Sequence, residues 1–396
     1  MNTNNKSLYK FHLPTYIKLS LIAISVIFLL YSCGIIKYVD KINKITSQKE
    51  VVFYNSKQKF IYKNNGIYLP IIVDGVKDTL MFDTGYTTVF TENSYDSPNI
   101  DSCIVIHQTT HKGRPKFFMD AAPISIENSM FKYKNYYKQI LYMKKTSCSS
   151  NSPFIIIGNK VYDKKVLTLD FDNNEIGIFD SIELVDKLGY SIVKSSFTLA
   201  APYLYVKING KEYKLLFDTG AKVSLLFPKK GYKHFKNYSD IEYYGTRFSG
   251  IDGSIGEGFI YKKETIINDF FNEKLRLNNV IFIEGQKLYV LGNDFLSNYN
   301  WIMDKRNKVL YAKRRNIDDR IMDSIINKAT YVSYGTDILT DRLIISLRKK
   351  NDGEKYPYQA VIKSVNGELI TDDNKCYYKK LLNKSNDWDT LNVVTE

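Results

Sequence analysis

The stretch "LLFDTGAKVSLLF", from Leu215 to Phe227, places the acidic residue Asp218 directly after an apolar run that predicts a buried strand. An ionised carboxylate at the inner end of such a strand is costly unless it is paired, hydrogen-bonded or protonated. Asp and Gly also favour turns, so an isolated Asp-Thr-Gly triplet is equally consistent with the turn that ends a strand. Only a second copy in a matching context can separate a functional carboxylate from such a turn.

A second copy lies in "LMFDTGYTTVF", from Leu80 to Phe90, and it belongs to a long repeat. Four landmarks recur: a hairpin turn, an Asp-Thr-Gly motif eight positions after the turn glycine, a Gly-Asn pair 75 or 74 positions after the motif's Asp, and an Asp 12 positions past that pair's Gly. In the first copy the landmarks are Asp74-Gly75, Asp83, Gly158-Asn159 and Asp170. In the second copy they are Asn209-Gly210, Asp218, Gly292-Asn293 and Asp304. The matched spacing predicts a duplicated all-β lobe.

This arrangement resembles the aspartic peptidases of the pepsin and retropepsin type, in which each lobe contributes one Asp-Thr-Gly loop. In that family a later apolar-apolar-Gly strand packs behind each loop, a role that would fall here to Ile157-Gly158 and Leu291-Gly292. The resemblance covers residues 51–315. It implies an all-β fold of two retropepsin-like closed β lobes in a pseudo-twofold arrangement, the first at residues 51–185 and the second at residues 190–315.

The resemblance assigns catalysis to Asp83 and Asp218. Like charges about 3 Å apart do not both ionise easily, so the pair shares one proton and titrates as a unit. The ionised member can draw a proton from a water held between them, while the protonated member hydrogen-bonds the scissile carbonyl. We therefore expect an aspartic endopeptidase that hydrolyses peptide bonds with no cofactor, no metal and no covalent intermediate.

The same resemblance gives supporting roles to the residues that follow each Asp. Thr84 and Thr219 are expected to hydrogen-bond across the junction between the lobes and to lock the two loops together. Gly85 and Gly220 are expected to let the loop backbone approach the other carboxylate and the water, where a Cβ atom would intrude.

The next residue of each motif departs from the pepsin pattern of Ser or Thr. Ala221 is retropepsin-like, whereas Tyr86 matches neither type and is expected to narrow the cleft or to supply a hydroxyl group. This departure supports an alternative of another class, a catalytically silent peptide-binding protein of the cell envelope that uses the same cleft. Because both Asp-Thr-Gly motifs are intact, the enzyme is our preferred hypothesis.

Two stretches are candidates for a hairpin flap over the cleft: "TTHKGRPKFF" around Gly113, and "FSGIDGSIGEGF" from Phe248 to Phe259. The glycines of the second stretch precede neither a Gly-Lys-Ser/Thr sequence nor a helix start, so they predict a hairpin tip rather than a phosphate loop. We expect the cleft to bind a peptide or protein substrate in extended conformation. His107 and His111 lie in a polar loop and are interpreted as solvated or substrate-facing rather than as a metal-ligand pair.

The N-terminus has the pattern of an export signal, because lysines precede the apolar run "LSLIAISVIFLLYSCG". Leu30–Gly34 resembles a bacterial lipoprotein cleavage box, which makes residues 1–33 a signal peptide and Cys33 the lipid-attachment residue. An uncleaved membrane anchor stays open as the alternative, because Leu19–Ile36 reaches the short end of a membrane span. With either anchor, residues 34–50 form a tether. We expect a membrane-tethered endopeptidase whose globular part is exported to the cell envelope.

Composition sets limits on size and partners. The chain has 396 residues and 44% hydrophobic content, which suffices for two or three domains with hydrophobic cores. Its formal net charge is +14. The positive excess is almost all Lys, spread along the chain without an Arg-rich or aromatic-interleaved patch. This favours solvated surface lysines over nucleic-acid binding. We expect no nucleic-acid partner, and a monomer whose two lobes form an intramolecular pseudo-dimer.

The region after Arg315 has a different pattern. An amphipathic run is followed by strand-like pieces, "RLIISLRKK" and "YQAVIKSVNGELI", and Val365–Gly367 faintly resembles the late part of a PDZ domain. We interpret residues 316–396 as a small C-terminal β-rich appendage, either diverged PDZ-like or plain.

Three cysteines remain if Cys33 carries lipid. Cys103 and Cys148 both fall in the first lobe, where a disulfide and two free buried thiols are both open. Cys376 has no evident partner in the sequence.

Overall fold

Strands account for 55% of the protein and helices for 9%, in line with its abundance of Tyr, Phe, Ile and Val. The prediction of an all-β fold is therefore confirmed. The computed structural model describes residues 50–86, 88–91, 104–106, 117–141, 155–198, 201–208, 210–231, 240–249, 255–268, 270–271, 273–283, 288–316, 332–336, 342–349, 354–385 and 390–396. The chain divides into two units, Met1–Glu50 and Val51–Glu396. The predicted signal peptide or anchor, and the tether up to residue 49, lie outside the described residues.

Most of the secondary structure consists of short strands that follow one another closely along the chain. In chain order, the elements are β1 (Glu50–Phe53), β2 (Ser56–Lys59), β3 (Ile61–Lys63), β4 (Gly66–Val73), β5 (Val76–Asp83), β6 (Val89–Thr91), β7 (Ile104–Ile106), β8 (Phe117–Glu127), β9 (Phe131–Leu141), β10 (Ile155–Gly158), β11 (Val166–Asp170), β12 (Glu175–Phe179), a 3-10 helix (Ile182–Leu184), β13 (Ser191–Val193), β14 (Ser195–Thr198), β15 (Ala201–Ile208), β16 (Lys211–Phe217), β17 (Leu225–Pro228), β18 (Asp240–Ser249), β19 (Ile255–Asn268), β20 (Lys274–Ile283), β21 (Val290–Leu291), α1 (Asn293–Leu296), β22 (Tyr299–Asp304), β23 (Val309–Arg314), β24 (Val332–Thr336), β25 (Leu343–Lys349), β26 (Ile362–Val365), β27 (Glu368–Leu369), α2 (Lys375–Lys384) and β28 (Val393–Thr395).

The first repeat (residues 51–185) and the second repeat (residues 190–315) use one set of strand pairings. The strand that leads to each Asp-Thr-Gly motif pairs in parallel with a later strand of the same repeat: β5 with β10, and β16 with β21. That later strand pairs antiparallel with the strand that follows the motif, β6 or β17. The hairpin partners β4 and β15 cover the other side of β5 and β16. The pairings therefore recur as a duplication predicts.

These pairings build two large sheets. The nine-stranded sheet runs β1-β9-β6-β10-β5-β4-β8-β7, with β3 paired to β4. The ten-stranded sheet runs β14-β15-β16-β21-β17-β20-β19-β18-β25-β24. The strand before each motif is thus internal to its sheet and has backbone partners on both sides, which suits its apolar sequence.

A six-stranded sheet, called the shared sheet below, contains strands of both repeats in the order β13-β23-β22-β11-β12-β2. At its centre β11 pairs antiparallel with β22, with Val166 opposite Asp304 and Leu169 opposite Trp301. All six residues of β22 are buried. The two repeats are therefore joined by backbone hydrogen bonds as well as by side-chain packing.

One hydrophobic cluster of the described residues extends through both repeats and anchors the residue before each motif. Phe82 packs on Tyr162 with ring centroids 5.8 Å apart, and Phe217 meets Trp301 edge-on at 5.0 Å. All four rings are almost completely buried. Because these aromatic rings are fixed in the core, the position of the following Asp is fixed with them.

The predicted hairpin turn at Asp74-Gly75 joins β4 to β5. Its φ angles of 47° and 83° are both positive, as a type I′ turn requires. In the second repeat Gly210 has a φ angle of 80°, while Asn209 lies outside the described residues. The turn glycine is thus used in the same backbone conformation in both repeats.

The C-terminal region contributes to two sheets. Gly245 of β18 lies opposite Leu347 of β25, so the hairpin β24–β25 extends the ten-stranded sheet. Strands β26, β27 and β28 form a three-stranded sheet. A separate hydrophobic cluster underlies this region; it contains Leu343, Ile345, Tyr356, Ile362, Val365, Tyr378 and Leu382. A PDZ-like identity stays a prediction.

Cys376 lies at the start of α2 and is disulfide-bonded. The sequence shows no evident partner for this cysteine, because sequence distance gives no measure of which cysteines meet in space. The other three cysteines, at positions 33, 103 and 148, lie outside the described residues.

Candidate active site

Asp83 is the last residue of β5, and the parallel strand β10 lies directly beside it. The register aligns Ile157 with Phe82 and Gly158 with Asp83. The last four residues of β5 are buried, and Asp83 itself is 5% exposed. An apolar strand with backbone partners on both sides therefore delivers this carboxylate to the interior.

Asp218 has the equivalent place in the second repeat, one residue after β16. Its amide donates to the Leu291 carbonyl at 3.0 Å, and the parallel pairing aligns Phe217 with Leu291. Asp218 is half-buried. Both repeats thus present an Asp where a buried strand ends beside a parallel neighbour.

The two carboxylates lie against the glycines of the opposite motifs. A Cβ atom built on Gly220 would lie 2.2 Å from Asp83 Oδ2, and one built on Gly85 would lie 2.5 Å from Asp218 Cγ. Neither glycine has a positive φ angle. Space, rather than backbone conformation, therefore requires glycine here, and the structure brings Asp83 and Asp218 together in one site.

Thr84 and Thr219 connect the two loops. The Thr84 amide donates to Thr219 Oγ1 at 2.9 Å, and the Thr219 amide donates to Thr84 Oγ1 at 3.0 Å. Thr84 Oγ1 donates in turn to the Phe217 carbonyl at 2.8 Å, and Thr219 Oγ1 donates to the Phe82 carbonyl at 3.0 Å. Both threonines are fully buried. The contact across the repeats is thus reciprocal, and each of the two hydroxyl groups both donates and accepts.

Backbone amides also point at the carboxylates. Gly85 N donates to Asp83 Oδ1 at 2.8 Å, and Gly220 N donates to Asp218 Oδ1 at 2.8 Å. These donors stabilise the ionised form of each carboxylate. Each loop therefore carries its own partial compensation for a buried negative charge.

Burial dominates the electrostatics of the pair. It raises the pKa of Asp83 well above its ordinary value of 3.8, and the charge of Asp218 and a hydrogen bond between the two side chains raise it further. Burial also raises the pKa of Asp218, whereas its hydrogen bond with Asp83 acts in the opposite direction. The pair therefore keeps a proton to a higher pH than an ordinary carboxyl group does, and the titration belongs to the pair.

Tyr86, the residue that departs from the pepsin pattern, uses its ring for packing. The ring is half-buried and lies against the apolar side chains of Met81, Val89 and Ile156. The Tyr86 amide donates to the Asp83 carboxylate, and its carbonyl accepts from the Asn159 amide at 3.0 Å. The side chain of Tyr86 thus packs on the sheet, while its backbone makes hydrogen bonds to Asp83 and Asn159.

Sequence reasoning missed two buried polar residues beside the site. Asn293 Nδ2 donates to the Thr219 carbonyl at 2.5 Å and to the Asn65 carbonyl at 2.9 Å. Lys305 Nζ donates to the Asn159 carbonyl at 2.7 Å. The sequence contains a signal that could have identified Asn293, because the Gly-Asn pair recurs in both repeats. Lys305 carried none, because lysine is almost always a surface residue.

The two predicted flap stretches fall only partly on described residues. In the second repeat β18 and β19 pair as an antiparallel hairpin with Ser249 opposite Ile255. In the first repeat β7 and β8 pair with Ile106 opposite Phe117. The hairpin tips lie outside the described residues, as do Gly113, His107 and His111, whose predicted roles stay predictions.

Neither a metal-binding cluster nor a membrane-spanning helix is present in the part of the chain that the structure describes. Within these ranges, no group of three or more His, Cys, Asp or Glu side chains is placed to hold a metal ion. None of the helices found there is long and apolar enough to cross a membrane.

Two comparisons, with protein-family models and with curated sequences, give no match. The chain fits no known protein-family model, and it has no significant sequence similarity to a curated protein.

Proposed function

We propose that this protein is an aspartic endopeptidase, which hydrolyses peptide bonds with a water molecule activated between Asp83 and Asp218. The observation that carries the proposal is the reciprocal approach of the two motifs, in which each carboxylate lies against the other motif's glycine. Two carboxyl groups in one buried site, each supported by backbone amides, are what a shared-proton dyad needs for general acid–base catalysis.

The proposed reaction follows from one proton held by the pair. The ionised carboxylate accepts a proton from the attacking water, whose oxygen bonds to the carbonyl carbon of the scissile peptide. The protonated carboxyl donates its hydrogen bond to the carbonyl oxygen, where negative charge develops. Breakdown of the tetrahedral intermediate delivers a proton to the amide nitrogen as the carbon–nitrogen bond breaks, and it leaves a carboxylic acid and an amine.

We further propose that the two repeats form two retropepsin-like closed β lobes, related by a pseudo-twofold axis through the site. Support comes from the recurrent strand pairings and from the Thr84–Thr219 contact, in which each bond has a counterpart when the repeats are exchanged. An extended peptide substrate would then lie across the site beneath the hairpins β7–β8 and β18–β19, paired through its backbone.

For location, we propose export to the cell envelope with tethering at the N-terminus. Support is confined to the sequence, in which a basic segment, an apolar run and a cleavage-box pattern end at Cys33. The membrane would be contacted through lipid on Cys33 or through an uncleaved anchor, and the substrates would be peptides or proteins of the envelope.

The test compares the full-length protein with Asp83→Asn, Asp218→Asn and the double variant on a diverse peptide mixture, with cleavage products identified by mass spectrometry. Each single substitution should lower kcat by roughly 100- to 10,000-fold. Because the dyad acts as one unit, the double variant should lose little more. Asp78→Asn, on the same strand β5, is the matched control and should cleave normally. A statine-type transition-state analogue should inhibit the wild-type protein.

Three results would redirect the proposal. Substantial cleavage by either single variant would contradict an intramolecular dyad. One harmless and one lethal substitution would point to a homodimer that uses one motif from each chain. Peptide binding without cleavage by the wild-type protein would favour the catalytically silent peptide-binding protein over the enzyme.

A further inference from the structure

Behind each carboxylate, the Gly-Asn pair of the same repeat holds the residue that follows the Asp-Thr-Gly motif. The Asn159 amide donates to the Tyr86 carbonyl at 3.0 Å, and the Asn293 amide donates to the Ala221 carbonyl at 2.8 Å. Tyr86 and Ala221 in turn donate their own amides to the two carboxylates. Each asparagine is thus one hydrogen bond away from a residue that contacts a carboxylate.

The carbonyl groups of these two asparagines accept hydrogen bonds from the opposite repeat, and the donors differ. Lys305 of the second repeat donates from Nζ to the Asn159 carbonyl at 2.7 Å. Tyr62 of the first repeat donates from its hydroxyl to the Asn293 carbonyl at 3.3 Å. The Asn159 carbonyl is therefore held by a short hydrogen bond from an ammonium group, whereas the Asn293 carbonyl is held by a longer hydrogen bond from a neutral phenol.

Lys305 is a costly residue to bury at this position. Its side chain is 2% exposed, and Nζ lies 3.7 Å from Asp163 Oδ1 and 4.3 Å from the ring centroid of Tyr162. The Asp163 side chain is 55% exposed, so this ion pair offsets only part of the desolvation of the ammonium group. Burial accordingly lowers the pKa of Lys305 to about 8.

The repeat offers an internal comparison for this residue. Lys305 lies 13 positions after Gly292, and Phe171 lies 13 positions after Gly158. Phe171 is 4% exposed and packs edge-on against Tyr62, with ring centroids 5.5 Å apart. An aromatic side chain therefore fills the equivalent position without burying a charge. Core packing alone does not account for the lysine.

Tyr162 connects the buried ammonium group to the carboxylates. Its ring lies against Phe82, the residue before Asp83, and against Lys305 Nζ. Burial raises the pKa of the Tyr162 phenol, and the negative charge of Asp83 raises it further. The lysine, the ring and the carboxylate thus occupy one buried region.

We propose that Lys305 is a positioning residue of the peptidase: by holding the Asn159 carbonyl from the opposite repeat, it fixes the loop that orients Asp83. This inference rests on the proposed function. Lys305 acts through Asn159 and Tyr86 and is not itself a catalytic residue. Its cation makes the two motifs inequivalent, because the loop of Asp218 is held through Asn293 by a neutral group.

The test measures kcat, KM and Tm for Lys305→Met and Lys305→Arg in the full-length protein. Methionine keeps the length and packing of the side chain, whereas arginine keeps a cation and a donor. We expect Lys305→Met to lower kcat by roughly 10- to 100-fold with KM changed less than about twofold, because small displacements of catalytic groups have effects of this size. Lys305→Arg should recover most of kcat. Lys160→Met, which changes the exposed neighbour of Asn159, is the matched control and should behave as wild type.

Stability separates positioning from a merely structural role. Replacing a buried and poorly paired charge with an apolar side chain of similar length is often neutral or stabilising. The Tm of Lys305→Met should therefore equal or exceed that of the wild type while kcat falls. Full activity in Lys305→Met, or parallel loss of Tm and kcat, would overturn the positioning role. Absence of cleavage by the wild-type protein would instead refute the proposed function and the positioning role with it.

Discussion

The hydroxyl group of Thr219 donates a hydrogen bond to the carbonyl of Phe82, the residue before the opposite motif, at 3.0 Å. The same hydroxyl accepts from the Thr84 amide, and both threonines are closed to solvent. One hydroxyl group of the second repeat therefore satisfies two backbone groups of the first repeat. Neither group has water as a substitute partner.

Thr219→Val should consequently destabilise the protein more than its small change in shape suggests. Valine leaves the Thr84 amide and the Phe82 carbonyl buried without this partner, and each such loss costs about 1–3 kcal/mol. We expect the free energy of unfolding to fall by about 2–6 kcal/mol, measured by denaturant titration. Thr219→Ser, which keeps the hydroxyl, should lose much less. Equal stability of the Val and Ser variants would contradict this role.

Gly220→Ala should remove cleavage activity, because the new methyl group would lie 2.2 Å from Asp83 Oδ2 and displace that carboxylate. A loss of kcat of at least about 100-fold is expected from such misplacement. Gly210→Ala is the comparison: no atom lies within 4 Å of its Cβ position, but its φ angle is 80°. That variant should lose about 1–2 kcal/mol of stability and keep its activity. Similar activities of the two variants in the peptide assay would contradict the close approach.

The raised pKa values of the dyad predict how stability depends on pH. The folded protein holds a proton that the unfolded chain releases near the ordinary carboxyl pKa of 3.8. Stability from this proton is fully present below that pH and is lost as pH rises through the raised pKa values. Asp218→Asn removes the repulsion, so its Tm advantage over the wild type should grow from about pH 4 toward neutrality. Thermal unfolding across this range is the measurement, and a difference in Tm that is constant with pH would refute the explanation.

Cys33→Ala tests the proposed anchor. If Cys33 carries lipid, the variant should lose metabolic lipid labelling and accumulate as an uncleaved precursor of higher mass. Cys376→Ala, which changes the cysteine at the start of α2, should label as the wild type does. Labelling of Cys33→Ala at the wild-type level would show that the cleavage box was misinterpreted.

The strands around Asp83 and Asp218 were predictable because their signals are local. Apolar runs, turn residues such as Asp74-Gly75 and the Asp-Thr-Gly triplets each act within a few residues, and the repeat doubled every signal. The pairing of Asp83 with Asp218 needed the resemblance, since sequence alone gives no distance between them.

The burial of Lys305 and the strand pairing between the repeats could not be predicted from the sequence, because both depend on tertiary contacts. Lys305 is buried because Tyr162 and Asn159 surround it from the other repeat, and nothing in its neighbours along the chain marks this burial. The pairing of β11 with β22 likewise depends on elements far apart in sequence. Such contacts follow from the completed fold rather than from any local pattern.

The shared sheet has a consequence for the order in which this protein forms during synthesis. Leu169 and Trp301, opposite each other at its centre, are 132 residues apart in the chain. While the ribosome is still making the second half, β11 has an open edge, which can pair wrongly with other nascent chains. The same open edge would let two separately expressed halves recognise each other and assemble. Pairing of that edge with β22 therefore requires that most of the second repeat has already been synthesised.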